Sequence, residues 1–534
     1  MNRTQMLQAL EAQGDRPWDC CIIGGGATGL GVAVDAASRG FSTLLVEQYD
    51  FAKGTSSRST KLVHGGVRYL QQGNIKLVME ALHERGILRR NAPHLVKDQS
   101  FIVPNYKWWE GPYYGLGLKV YDWMSGKLGL GPSRLLSREE TLELAPTLDA
   151  EGLRGGVLYH DGQFDDARLA ISLAMTAADQ QAVLLNYCRV DRLLKAQDKV
   201  VGVQAVDTLS GKTYEVHAKV VINATGVFTD SILQMDVPGS DHIIAPSQGV
   251  HIVLDKHFLP GEAAILVPHT DDGRVLFAVP WHDKIIIGTT DTPVQQASAE
   301  PQAMPKEVDF ILQQISRYLT KPPTRADIRS IFAGLRPLVK GNSRRTAELS
   351  RDHLIAVSSS GLITVAGGKW TTYRRMAEDT VNTAIAKGGL PDRPCRTTEL
   401  PVHGAFPDAA DAASRLAPSG SPPIVDFHAP LYYYGSDTPS IRTLASADPS
   451  LGQLLHSRLP YTRAEIIWAA REELCMTVED ALSRRTRALL LDAAAAIECA
   501  PLVAELLAGE LGRDAAWQGR QVEEFRALAS HYLP

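Results

Sequence analysis

The chain has 534 residues, 44% of them hydrophobic, with six cysteines and a net charge of −5. At roughly 100 to 200 residues per domain this is too long for one core, and its apolar side chains suffice to fill two to four, which excludes disordered and fibrous chains. The weak acidity gives no reason to expect nucleic acid, which calls for a strongly basic face.

Residues 1–19 lack the apolar centre of a signal peptide, and no stretch reaches the roughly 18 apolar residues that span a bilayer. Any membrane contact is therefore expected to lie on the surface. The cysteines at 20, 21, 188, 395, 475 and 499 form no Cys-x-x-Cys pair and have no histidine partners at zinc-ligand spacing. They are expected as buried thiols in a reducing compartment, with no metal site.

From Trp18 to Glu47 an apolar run, a glycine turn, an Ala-rich stretch to Arg39 and a second apolar run read as a β-α-β unit, hence a parallel sheet covered on both faces. Residues 108–123 concentrate three of the eight tryptophans and three of the sixteen tyrosines. Such rings favour a lipid-water interface, and Lys107, Lys119, Lys127 and Arg134 are placed to meet anionic headgroups; the competing reading is an aromatic cluster packed between domains. Strand-like runs follow at 219–223, 251–254, 275–279, 284–287 and 362–365. The turns Asp271-Asp272-Gly273 and His282-Asp283 predict antiparallel meanders among them. Residues 386–446, rich in Pro, Ser, Ala and Asp, read as a linker. Beyond it, Thr462-x-x-Glu465 has capping-box spacing and Pro501 is expected to open a helix, so 447–534 are predicted all-helical.

Gly24-Gly25-Gly26-Ala27-Thr28-Gly29 fits G-x-G-x-x-G after a strand and opening a helix. The first glycine makes the turn, the second admits a pyrophosphate, and the third lets helix and strand approach. Glu47 follows at the end of the second strand, about 20 residues on, where a carboxylate accepts hydrogen bonds from a ribose diol. The run Thr55-Ser56-Ser57-Arg58-Ser59-Thr60-Lys61-Leu62-Val63-His64-Gly65-Gly66-Val67-Arg68-Tyr69-Leu70 suits the wrapping of a diphosphate and a flat ring. On composition alone it is equally an exposed polar loop.

Six blocks in register, from the glycine turn through Ser56-Ser57 to Leu70, Asn223-Ala224-Thr225-Gly226, Ile287-Gly288-Thr289-Thr290-Asp291, Gly334-x-Arg336-Pro337-Leu338 and Gly367-Gly368-Lys369-x-Thr371-Thr372-Tyr373-Arg374, closely resemble FAD-dependent glycerol-3-phosphate dehydrogenases of the aerobic type. The resemblance implies an α/β fold: an FAD-binding Rossmann-like domain from 18–90, 145–235 and 325–385, an inserted, mostly antiparallel substrate domain from 91–144 and 236–324, and the helical domain after the linker. It implies FAD held non-covalently, oxidation of sn-glycerol 3-phosphate at C2 to dihydroxyacetone phosphate, and electrons passed to a membrane quinone. The protein would then sit peripherally on the cytoplasmic face of the cytoplasmic membrane; a homodimer stays open.

Oxidation at C2 needs a base for the hydroxyl proton and cations for the phosphate. Arg336 and Arg68, flanked by family motif residues, are candidates to clamp phosphate bidentately, with Lys369 as a point charge and Tyr69 as a hydrogen-bond donor. Surface ion pairs are the alternative. His251 is the preferred base and a satisfied structural histidine its alternative; His64 ranks lower and is expected to line the isoalloxazine. Gly24, Gly26, Gly29, Glu47, Ser56, Ser57, His64, Gly226, Gly368 and Thr371 are expected to hold the cofactor. Asp291 is assigned no role. The rivals are a glycerol-3-phosphate oxidase making hydrogen peroxide, a relative acting on amines, against which the phosphate-type cations argue, and a flavin-bound scaffold with a vestigial redox site.

Overall fold

Strand Trp18–Ile23 lies between Thr43–Val46 and Thr213–Asn223 in a computed structural model that describes residues 1–66, 74–126, 129–340, 353–406, 427 and 429–534. Val183–Leu185 and Ile363–Gly367 extend this parallel array, and His353–Val357 closes one edge in antiparallel pairing. The continuous apolar runs follow from two covered faces. Cys20 and Ile22 point to the helices Ala27–Ser38, Asp166–Asp179 and Tyr373–Gly388. Their neighbours Cys21 and Ile23, with Leu44 and Val46, pack under the antiparallel strands Cys188–Ala196 and Lys199–Asp207.

The second sheet is mostly antiparallel. Its strand Ile244–Asp255 pairs on one side with Ile328–Val339 and on the other with Lys284–Gly288. Leu276–Trp281 pairs with Lys284–Gly288 and, across the turn at 271–273, with Ala264–Val267, giving the expected meander. A parallel pairing of Ala264–Val267 with Val96–Asn105 carries the sheet on to Gly155–Phe164. Gly155–Phe164 and Ile328–Val339 fall in stretches assigned above to the nucleotide-binding part, yet both pair in this sheet along nearly their whole length. On Ile244–Asp255 the even positions Val250, Ile252 and Leu254 pack on helix Pro305–Ser316. The odd positions Ser247, Gly249 and His251 therefore face the nucleotide-binding sheet, because side chains alternate along a strand.

The C-terminal part is helical, with Arg463–Glu472, Ala493–Leu511 and Ala515–Ala529 as its long elements. Thr462 and Glu465 form the expected capping box. Pro501 does not open a helix: it lies inside Ala493–Leu511, which starts earlier because the Asp492 carboxylate accepts from Ala495 N–H. The missing N–H at Pro501 is outweighed by the buried face Ala496, Cys499, Ala500, Val503 and Ala504. Thr438–Ala447, all but its last residue in the segment read as linker, is also a helix. Buried arginines fasten this part down: Arg484 and Arg485 bond Asp50, and Glu473 takes both ends of Arg168 at 2.8 Å.

Helix Glu110–Ser125 buries Tyr114, Leu118 and Tyr121 and leaves Tyr113, Leu116, Val120 and Trp123 exposed. Trp108 and Trp123 are 77% and 82% exposed, so the aromatic segment is not a buried cluster. Lys127 lies outside the described residues. No helix among the described residues is long and apolar enough to cross a membrane.

Candidate active site

One cavity of about 930 Å³ follows the carboxyl ends of the parallel strands, touching Ile23, Val46, Ala224 and Gly367, and continues to the odd face of Ile244–Asp255. Ligands of open α/β sheets bind at such strand ends.

At its nucleotide end the glycines are set by contact. A Cβ on Gly24 would lie 2.6 Å from the Ala224 carbonyl oxygen, and one on Gly29 only 1.9 Å from that of Gly24. Gly29 and Ser57 do not line the cavity: Gly29 lets the helix approach the turn, and the Ser57 carbonyl accepts from Lys61 Nζ at 2.7 Å. Gly24, Gly26, Glu47 and Ser56 do line it, and Ser56 Oγ accepts from Ala27 N–H at 2.9 Å. The Glu47 carboxylate accepts N–H groups from Gly25 (2.6 Å) and Tyr49 (2.8 Å). Burial pushes its pKa up, and these amides only partly oppose that. Gly226 and Gly368, both with left-handed backbones, and Thr371 form further wall; the Thr371 hydroxyl accepts from His64 N–H at 3.3 Å.

At the other end stand His251, Arg336, Lys369 and His64, with His64 edge-on to Phe277. His251 and Arg336 meet because their strands are paired: Gly249 lies opposite Gly334, His251 opposite Phe332, and Arg336 opposite Ser247. The guanidinium passes so close to Gly249 that a Cβ there would be 2.6 Å from Nη2. It donates to Asp291 Oδ1 (3.2 Å), Thr289 Oγ1 (3.2 Å) and the Thr290 carbonyl (3.0 Å). Asp291, given no role from sequence, thus orients Arg336, as the short Gly288-to-Asp291 block allows. His251 is buried, stacks on Phe332 at 4.8 Å, and shares a 2.9 Å hydrogen bond between Nε2 and Thr60 Oγ1. Burial, reinforced by the charges of Arg336 and Lys61, holds its pKa well below the ordinary value, so the imidazole is neutral at neutral pH. Arg68 and Tyr69 lie outside the described residues.

The FAD dependent oxidoreductase family model matches residues 19–374, and the model for the C-terminal domain of alpha-glycerophosphate oxidase matches 395–518. Curated mitochondrial glycerol-3-phosphate dehydrogenases from Macaca fascicularis and Homo sapiens are each 42% identical, over 98% and 97% of this chain and 74% of theirs. The chain belongs to the FAD-dependent glycerol-3-phosphate dehydrogenase family. A solved structure from the family, the Bacillus halodurans enzyme complexed with FAD, superposes with a TM-score of 0.81 at 30% identity over 100% of this chain and 98% of that one. Glycine oxidase from Bacillus cereus, at 20% identity, TM-score 0.52, and coverage of 70% of this chain and 98% of that one, shares the fold.

The family's cofactor fits the residues present. The crowded turn at Gly24 admits backbone and no side chain, helix Ala27–Ser38 points its N-terminus at the cavity, and Glu47 stands at the second strand's end. Thr60 and Arg274 also line the cavity without having been assigned a role from sequence. Thr60 sits inside a quoted motif, but only tertiary contact pairs it with His251. Arg274 lines the cavity with Nε donating to Asp272 Oδ2 at 2.7 Å; in the sequence it is one residue past a turn and carries no other signal.

Proposed function

We propose that the protein oxidises sn-glycerol 3-phosphate at C2 to dihydroxyacetone phosphate and passes the electrons to a membrane quinone. The observation that carries this reading is the placing of fixed cations, Arg336 and Lys369, and a neutral imidazole, His251, on the wall of the cavity that also holds the dinucleotide turn. The names of the relatives support the same substrate. FAD, bound without a covalent link, supplies the two-electron acceptor. Arg336 and Lys369 grip the phosphate dianion, Arg336 held in aim by Asp291 and Thr289. Arg68 and Tyr69 add to that grip. His251 serves as the base for the C2 hydroxyl proton. Glu47 takes the ribose diol, while Ser56, Gly226, Gly368 and Thr371 fix the rest of the cofactor and His64 borders its ring.

The protein sits peripherally on the cytoplasmic face of the cytoplasmic membrane. Support comes from the exposed stripe of Tyr113, Leu116, Val120 and Trp123 on a helix whose residues also line the cavity. Anaerobic mixing of purified holoprotein with glycerol 3-phosphate, followed through the visible flavin band, tests the reaction: the band bleaches, and added quinone restores it. A band that survives refutes dehydrogenation, and stoichiometric hydrogen peroxide in air without quinone reduction identifies an oxidase instead.

A further inference from the structure

We propose that Thr60 is a proton relay, its hydroxyl standing between the reacting hydroxyl of the substrate and His251. The inference rests on the reading above that the site oxidises an alcohol with His251 as terminal base.

The two nitrogens of His251 differ in their surroundings. Nε2 is engaged by Thr60 Oγ1 at 2.9 Å. Nδ1 is buried and has no hydrogen-bond partner among the described residues. The ring lies within 12° of parallel to Phe332, and its Cδ2–Nε2 edge is seated against Gly288, where a Cβ would be 2.2 Å from Cδ2 and 2.8 Å from Nε2. Thr60 is half-buried and lines the same cavity as His251, so its hydroxyl is open to a group entering there while it bonds the imidazole.

Thr60 is held in place by both neighbours, and both are tied to one carboxylate. Ser59 donates to Asp166 Oδ2 from its N–H (3.0 Å) and its hydroxyl (2.7 Å). Lys61 donates from Nζ to both Asp166 oxygens at 2.7 Å and to the Ser57 carbonyl at 2.7 Å. Its backbone is left-handed, φ 62°, which turns the chain so that Thr60 faces the cavity while Lys61 is fully buried. The groups bearing on His251 are thus Thr60, the aromatic face of Phe332 and the charges of Arg336 and Lys61, the last paired with Asp166. Burial and those charges keep the ring neutral, and in the tautomer that can act as a base Nε2 accepts from the Thr60 hydroxyl.

The step balances without any further reactant. As the C2 hydrogen leaves with its electron pair to the acceptor the family already uses, the C2 hydroxyl proton passes to Thr60 Oγ1 and the Thr60 proton passes to His251 Nε2. The C2–O bond becomes the carbonyl, Thr60 is restored, and the imidazolium holds one proton to release to solvent.

The test is single-turnover flavin reduction by glycerol 3-phosphate in holoprotein carrying Thr60→Val, Thr60→Ser or His251→Asn, with a proton inventory of the native protein in mixed light and heavy water. Removing an acid-base group slows reduction by about 100-fold or more. The expectation is that loss in Thr60→Val and His251→Asn alike, with flavin content and substrate dissociation constant kept. Thr60→Ser recovers to within a few-fold of native, and the native inventory is curved, as two moving protons require. Fast reduction in Thr60→Val with slow reduction in His251→Asn overturns the relay and leaves the base standing. Native-like reduction in His251→Asn overturns both. Should Thr60→Val not retain flavin, the native inventory decides, and a linear one overturns the relay.

Discussion

Adding one methyl group at Gly29 tests whether the turn's geometry binds the cofactor. The Cβ of Gly29→Ala would lie 1.9 Å from the Gly24 carbonyl oxygen and 3.0 Å from its carbonyl carbon. Both are backbone atoms of the turn, so no side chain can swing aside, and the start of helix Ala27–Ser38 has to withdraw by about 1 Å or more, a displacement of the kind that costs heavily in preorganised sites. Overpacking of this kind costs about 1–3 kcal/mol. Expressed in the cofactor's dissociation constant, that is roughly 5- to 150-fold, since each 1.4 kcal/mol is tenfold. The assay is flavin-to-protein absorbance of the purified variant, followed by titration of the apoprotein with FAD. Gly509→Ala is the control: nothing lies within 4 Å of its Cβ in the exposed interior of helix Ala493–Leu511. There alanine should stabilise by about 0.5–1 kcal/mol. A Gly29→Ala protein with full flavin and native affinity would refute the argument that close approach at this turn shapes the cofactor site.

Arg336→Ala removes a charged hydrogen-bonding partner worth about 1.5–3 kcal/mol, so KM for glycerol 3-phosphate should rise roughly 10- to 150-fold with a smaller change in kcat; unchanged affinity places Arg336 outside the substrate site. Trp123→Ser, at a side chain that is 82% exposed, should cut partitioning onto anionic liposomes in flotation assays. Losing about 2 kcal/mol of apolar burial amounts to roughly 30-fold, and equal flotation removes this face from the lipid contact. His403 stands between Asp179 (2.7 Å) and Asp437 (3.0 Å). Burial opposes its charge, but the hydrogen bonds to the two carboxylates outweigh it and raise the pKa to about 9. With an unfolded value near 6.5, its stabilisation is complete below that pH and is lost as pH rises through 9. Melting temperature should therefore fall between pH 7 and 9.5 in the native protein and less so in His403→Gln; parallel curves refute the clasp.

The legible parts of this protein were those encoded by near neighbours. The glycine turn, the β-α-β unit, the Thr462–Glu465 cap and the His282 hairpin each depend on residues within a few positions, where turn geometry and side-chain period leave few choices. Pro501 misled because a local rule met a buried alanine face that sustained the helix through it. Residues 328–339 were not singled out as a strand and were grouped with the nucleotide-binding part, yet they pair in the second sheet; buried on both faces, the strand shows no alternation that would name its partner.

From the sequence alone came the chemistry on offer: a dinucleotide turn, hydroxyl-rich loops, cations beside glycines and one histidine in an apolar strand. Tertiary pairing decided which of these meet. His251 faces the cavity because its strand parity sends Val250 and Ile252 into the other core, and it touches Thr60 across nearly two hundred residues of chain. Asp291 became the support of Arg336 in the same way. Hydrogen bonds act over about 3 Å in space, and separation along the chain does not enter them, so only the folded arrangement determines who shares a proton.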